Sequence, residues 1–292
     1  MLLALRVLWL TLPATAGPAI AGGLDGASGP VQVVVAVLAW TAWAIGLVAV
    51  LVPRSASLTA VRVLGPAALA ATVWATIADG VGAASVLALA ATAAVASIAL
   101  LVPAVTDAFV DGSSYGSERR FALRTPAPLL LGPVELAWVA AVLGVVTGPV
   151  LLAAEVWIVG AIAIVVGPIV AVFATRSLHQ LARRWVVFVP AGLVLHDPVV
   201  LTDPALFTKA TIASLGPAPA EAAVTATDLT AGALGLALEL TVTDSASAKP
   251  RDGRTVSDRI LFTPGRPGAL LTEAGQRRLA TTVPPPSTSS PS

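Results

Sequence analysis

Six apolar runs, each about as long as a bilayer is thick, occupy the first 175 residues and constrain this chain more than any other feature. They cover roughly 3–22, 31–52, 59–78, 83–103, 127–147 and 150–174. About 20 apolar residues in a helix span a hydrocarbon core ~30 Å thick. Inside that core each backbone N–H and C=O must find its partner within the protein, so such runs read as transmembrane helices. Composition agrees: 57% of the 292 residues are hydrophobic and 11% charged, against ~25% charged in soluble globular chains. An ordinary soluble enzyme and extended disorder are both excluded.

The arginines orient the spans. The joins near 23–30, 79–82 and 147–149 carry no Lys or Arg, whereas Arg54 and Arg62 flank the second join and Arg119, Arg120 and Arg124 lie in the fourth. Arg176, Arg183 and Arg184 follow the sixth run. Cationic joins face the cytoplasm, which predicts a bacterial cytoplasmic membrane protein with both termini inside. The first run has two readings. Arg6, an apolar stretch and Ala14-Thr15-Ala16 or Ala19-Ile20-Ala21 fit a retained helix or a cleaved signal peptide. The heptapeptides 64–70 and 131–137, both beginning Leu-Gly-Pro, hint at three hairpin repeats.

Candidate chemistry is sparse. With no cysteine, disulfides, thiolate nucleophiles and Cys-bound metals drop out together. Glu135 is expected about eight residues into the fifth run, roughly 12 Å deep at the helical rise. An ionisable group there marks a pathway, or is a protonated acid bonded within the bundle. Trp138 is three residues on and shares its face. Glu155 is expected near the outer face, hydrated at the interface. Gly-Pro at 65–66, 132–133 and 167–168 can break helices. Gly112-Ser113-Ser114-Tyr115-Gly116 fits G-x-S-x-G but lacks a strand before and a helix after it. Gly26-Ala27-Ser28-Gly29 resembles a rhomboid nucleophile motif, yet the two histidines, His179 and His196, come after the last run. Neither pattern supports an enzyme, and no motif for a metal, cofactor or nucleic acid occurs.

After residue 176 the periodicity changes. Arg183 and Arg184, in a juxtamembrane segment over 176–184, are candidate contacts to anionic headgroups worth about 1 kcal/mol each, or a stop-transfer pair. Residues 185–190 and 192–197 predict a hairpin turning at Pro190-Ala191. Further strands are expected over 199–202, 208–215 and 258–263, with 234–243 a strand or a helix. A helix over 268–280 closes the domain, and 281–292 is a Pro/Ser/Thr tail expected to be disordered. His196-Asp197 reads as a turn with its own hydrogen bond more readily than as a metal or acid–base pair.

Arg184-Trp185-Val186-Val187-Phe188-Val189 with Gly192-Leu193-Val194 after its turn, Ala210-Thr211-Ile212, and Ile260-Leu261-Phe262-Thr263 running into Pro264-Gly265 carry a resemblance. They resemble uncharacterised actinobacterial multi-pass membrane proteins with a C-terminal pleckstrin-homology-like domain. The resemblance covers 185–280 and implies a β-rich domain with a closing helix. Phosphoinositide binding does not follow, because the Pro190-Ala191 turn has no Lys or Arg.

The expected organisation is therefore an α-helical membrane bundle over 1–175, the segment 176–184, a small cytoplasmic β-rich domain over 185–280 and a tail. The expected role is non-enzymatic: presenting that domain to a protein partner or the membrane surface. The alternative is a small transporter or channel subunit with Glu135 in its path.

Overall fold

The computed structural model describes residues 1–77, 81–219, 225–244, 248–253 and 255–282. Among them are six helices long and apolar enough to cross a membrane. These are α1 (Leu2–Gly23), α2 (Gly29–Leu51), α3 (Ser55–Ile77), α4 (Ala83–Leu101), α6 (Pro133–Ala153) and α7 (Trp157–Ala182). A nine-residue helix, α5 (Pro103–Asp111), follows α4 and was not expected. Pro103 opens it at a position where its missing N–H costs nothing. The expected join at Asp79-Gly80 lies outside the described residues.

Two compact units result. One comprises residues 1–113 and 130–182, the other 114–129 and 183–292. This corrects the expected division at 175 and 185. Helix α7 runs to Ala182 through most of the expected juxtamembrane segment, and part of the fourth join belongs to the β-rich unit.

In the helical unit, α1 is tied in by reciprocal bonds: Trp9 Nε1 donates to the Trp43 carbonyl and Trp43 Nε1 to the Trp9 carbonyl, both at 3.0 Å. Arg6 Nε donates to the Val50 carbonyl at 3.0 Å. Leu5, Trp9, Leu12 and Ala19 of α1 are buried in the bundle.

The hairpin of α6 and α7 turns at 154–156, not at 147–149. Gly148 and Pro149 lie inside α6. Gly-Pro reads as a loop in water, but in hydrocarbon an exposed turn would strand its backbone groups. Gly148 serves close helix approach instead: a Cβ there would meet the Ile164 backbone at 2.7 Å. The repeat fares poorly for a related reason. Pro66 lies mid-helix in α3, whereas Pro133 is the first residue of α6, so the matching heptapeptides occupy unlike positions.

Among its described residues the β-rich unit has two four-stranded sheets. The first runs in the order β1 (Arg119–Ala122), β2 (Trp185–Val189), β3 (Gly192–His196), β4 (Ala205–Thr208). The second orders β5 (Ile212–Pro217), β7 (Leu238–Val242), β8 (Arg259–Phe262) and the two-residue β6 (Thr227–Asp228). Helix α8 (Pro267–Gln276) follows. One core joins all three layers: Phe121, Val186, Phe188, Leu193 and Phe207 from the first sheet, Leu215, Leu238, Leu240, Ile260 and Phe262 from the second, Leu270 and Ala274 from α8. The two-residue turn at Pro190-Ala191 is where it was expected. Residues 238–242 are a strand, not a helix. Residues 199–202 form a turn in which only Leu201 pairs, with Pro250. Thr281 bridges Leu215, so the chain stays ordered two residues past the expected end of the domain; 283–292 lie outside the described residues.

Strand β1 was not expected. Its residues lie before α6, yet they pair antiparallel with β2, which follows α7: Phe121 opposite Val186 and Ala122 opposite Trp185. The membrane hairpin is thus an insertion between two neighbouring strands of one sheet. A chain in which a short flexible linker replaces 130–182, joining 114–129 to 183–282, should fold as a soluble unit. The fragment 183–282 alone lacks the buried Phe121 and Leu123 and should be less stable by about 3–5 kcal/mol, the scale of a lost core aromatic. Urea melts of both, followed by circular dichroism, check this; equal midpoints would remove β1 from the folded unit.

Candidate functional site

Glu135 lies in the first turn of α6, not eight residues into a span, because residues 127–130 form a short 3-10 turn and α6 begins at Pro133. Its Oε2 accepts the Gly132 N–H at 2.8 Å. An acid in a first turn satisfies an otherwise orphaned donor and meets the positive end of the helix dipole. Helix capping therefore accounts for this carboxylate, and the expected depth that made it a pathway candidate is gone.

Trp138 does not act with Glu135. Its indole Nε1 donates to the Val63 carbonyl of α3 at 2.8 Å. Val63 lies in the turn before Pro66, which offers that turn no N–H. Glu155 is exposed in the turn between α6 and α7, with a left-handed φ of 61°. The structure brings none of these three together as a site.

A polar group the sequence reading missed lies elsewhere in the bundle. Thr59 Oγ1 and His179 Nδ1 are 2.8 Å apart, joining α3 to α7. Arg62 Nη2 donates to Thr106 Oγ1 of α5 at 3.0 Å, and Asp107 beside it is buried. Thr59 and Arg62 are one helical turn apart, but the expected third span began at 59 and α5 was read as loop. The arrangement ties three helices at one end of the bundle. Among the described residues no group of three or more His, Asp or Glu could hold a metal ion.

The other buried charges lie in the β-rich unit, and they correct an expectation. Arg184 is only 2% exposed and cannot reach headgroups. Its Nε donates to Asp197 Oδ1 at 2.8 Å and its Nη2 to Asp197 Oδ2 at 2.7 Å. Its Nη1 donates to the Arg124 carbonyl at 2.6 Å, and its own carbonyl accepts the Leu123 N–H. Asp197 Oδ1 also accepts the Val199 N–H, which makes the expected turn. The signal for this pair was present in the sequence. Hairpin register sets Trp185 opposite His196, and one step outward the same register sets Arg184 opposite Asp197. Arg183 is partly buried, and its carbonyl accepts a bond from His196 Nδ1 at 2.7 Å.

His196 stacks on Trp185, ring centroids 4.8 Å apart, with the Arg120 guanidinium 5.4 Å from the Trp185 ring. Burial holds the imidazole below its ordinary pKa of 6.5, against the opposing effects of the Arg183 carbonyl and Asp197. Because a carbonyl can only accept, Nδ1 carries the proton. This group is a stacked structural histidine, with no carboxylate placed as its base partner.

Neither serine motif builds a nucleophile. Ser114 follows α5 and precedes β1, the reverse of the strand-to-helix order an elbow requires. Ser28 is the residue before α2. No protein-family model matches the chain, and no curated protein or solved structure is significantly similar to it.

Two outcomes follow for the linker-joined β unit. Arg184→Met leaves a buried Asp197 carboxylate without its cation and should cost about 3–5 kcal/mol. Arg184→Met with Asp197→Asn, which keeps an acceptor for Val199, should lose less; equal losses in urea would deny the pairing. For His196 the unfolded form binds the proton more tightly. Its contribution is complete above about pH 6.5, the unfolded value, and is lost as pH falls from there toward the lower folded value. His196→Phe keeps the stack and should flatten the difference between melts at neutral and mildly acidic pH.

Proposed function

We propose that this chain is a non-enzymatic integral protein of a bacterial cytoplasmic membrane that presents its β-rich unit, on the cytoplasmic side, to a protein partner. The observation that carries this reading is the insertion of α6 and α7 between β1 and β2. It gives the unit three covalent ties to the helical part, at 113/114, 129/130 and 182/183. A tail-like domain would need one. Three ties hold a domain at a membrane surface and restrict its rotation, which suits presentation of a fixed face.

The pleckstrin-homology-like reading has support in the layering: a four-stranded meander, a second sheet and a C-terminal helix around one core. The side of the membrane follows from the arginines. Both β-unit segments, 114–129 and 183–292, belong to one domain and so share a side. The join of α3 to α4 and the turn of α6 into α7 hold no Lys or Arg, which supports an outside location for both. The transporter alternative loses its main feature now that Glu135 caps a helix.

Single cysteines can be read without background in this Cys-free chain. In intact spheroplasts an impermeant maleimide should label Glu155→Cys at once. Tyr115→Cys, where the native side chain is 87% exposed, should react only after permeabilisation. The opposite pattern would invert the topology. Affinity capture with the full chain, beside a chain ending at residue 182 and lacking 114–129, tests presentation: a specific partner should be retained only by the full chain.

A further inference from the structure

Among the described residues of the β-rich unit, the most exposed aliphatic side chains are Leu234 (74%) and Leu236 (52%). They flank Gly235 in the loop between β6 and β7. The loop is braced. The Thr230 N–H donates to Asp228 Oδ1 at 2.7 Å, the Gly232 N–H to Thr230 Oγ1 at 3.2 Å, and the Ala218 N–H to the Ala237 carbonyl at 3.0 Å. Gly235 has a φ of 127°, and a Cβ there would lie 2.9 Å from Arg124 Nε. The left-handed φ requires a glycine. Two apolar side chains are thus held outward on an ordered loop, where a core or a polar replacement would be the ordinary outcome.

The neighbours of this loop say what covers it. The Ala127 N–H donates to the Gly232 carbonyl at 3.3 Å, and Pro128 lies against Gly232. Residues 124–128 lead straight into the membrane: only five residues lie between Ala127 and Pro133, where α6 begins, at most about 20 Å of extended chain. The Arg124 carbonyl also receives Arg184, two residues after α7 ends. The leucines therefore lie at the end of the β unit from which the chain leaves for α6 and to which it returns from α7. Between them sits the exposed Arg124 guanidinium. Leucines beside a cation match an interface whose acyl edge is apolar and whose headgroups are anionic.

We propose that Leu234 and Leu236 insert into the interfacial layer of the protein's own membrane, with Arg124 at phosphate depth, as a lipid contact that seats the β unit. The proposal rests on the reading of α6 and α7 as membrane spans. The full chain, reconstituted in vesicles of phosphatidylcholine and phosphatidylglycerol, is labelled with an environment-sensitive fluorophore at single cysteines. Ala233→Cys keeps both leucines. Val165→Cys, on an exposed position of α7, reports the spans, and Leu206→Cys on β4 reports the aqueous side.

The label at 233 should be blue-shifted and quenched by lipids carrying a shallow spin label, with the label at 206 unquenched. Adding Leu234→Ser and Leu236→Ser should abolish the quenching at 233 and leave it at 165. Quenching at 165 with none at 233 overturns the lipid contact and leaves the membrane reading intact. A blue shift at 233 without quenching overturns it too, since the loop would then be covered by protein, as by a second copy. No quenching at 165 would remove the span reading itself.

Discussion

The Arg184 guanidinium, held in place by Asp197, closes the neck of the inserted hairpin through its bond to the Arg124 carbonyl. One guanidinium, two residues beyond α7, binds the carboxylate at the far side of the β2–β3 hairpin and the Arg124 carbonyl on the way into α6. It joins the segment before the membrane hairpin to two strand ends that follow it. The desolvation of two buried charges offsets much of their attraction, so the pair is weak as a source of net stability. Its contribution is specificity. Asp197 fixes the register of β2 against β3, and the Arg124 carbonyl with the Leu123 N–H that of β1 against β2, where a slip by one residue would turn Phe121 out of the core.

The helical part was legible because hydrocarbon imposes one rule on every residue. Runs of about 20 apolar residues announced all six spans. Their ends were less legible, for a reason particular to the solvent. Gly148-Pro149 and Gly65-Pro66 carry turn chemistry in water, and both lie inside helices here. Lipid removes the option of solvating a broken turn, so a glycine becomes a point of close contact and a proline a tolerated gap. The same dipeptide at 132–133 does begin a helix, and that one difference moved Glu135 from an apparent mid-membrane acid to a cap.

The β unit was half legible. The hairpin 185–197 was visible as two β-branched and aromatic runs around a two-residue turn. Strand β1 was invisible as part of it, because its four residues, Arg-Arg-Phe-Ala, have no alternation of their own and their partner lies 63 or more residues away. Local pattern cannot report a pairing made across two membrane spans. The cationic pair Arg183-Arg184 misled for a different reason. Position beside a span is the usual place for a headgroup contact, and only the hairpin register shows that Arg184 already has an acid opposite it.

Insertion of a membrane hairpin between paired strands also orders assembly. Strand β1 is synthesised before α6 and α7, and its partner after them, so the first sheet closes only once both spans have been made. Before then Phe121 and Leu123 have no core to enter, and the Arg124 carbonyl waits for its guanidinium. The second sheet and α8 build on the same core from later sequence. Completion of the β unit is therefore coupled to completion of the bundle, and a chain in which only one of α6 and α7 crosses leaves β1 and β2 on opposite sides of the membrane. The fold reports correct insertion through whether β1 pairs with β2 and the Arg124 carbonyl meets the Arg184 guanidinium.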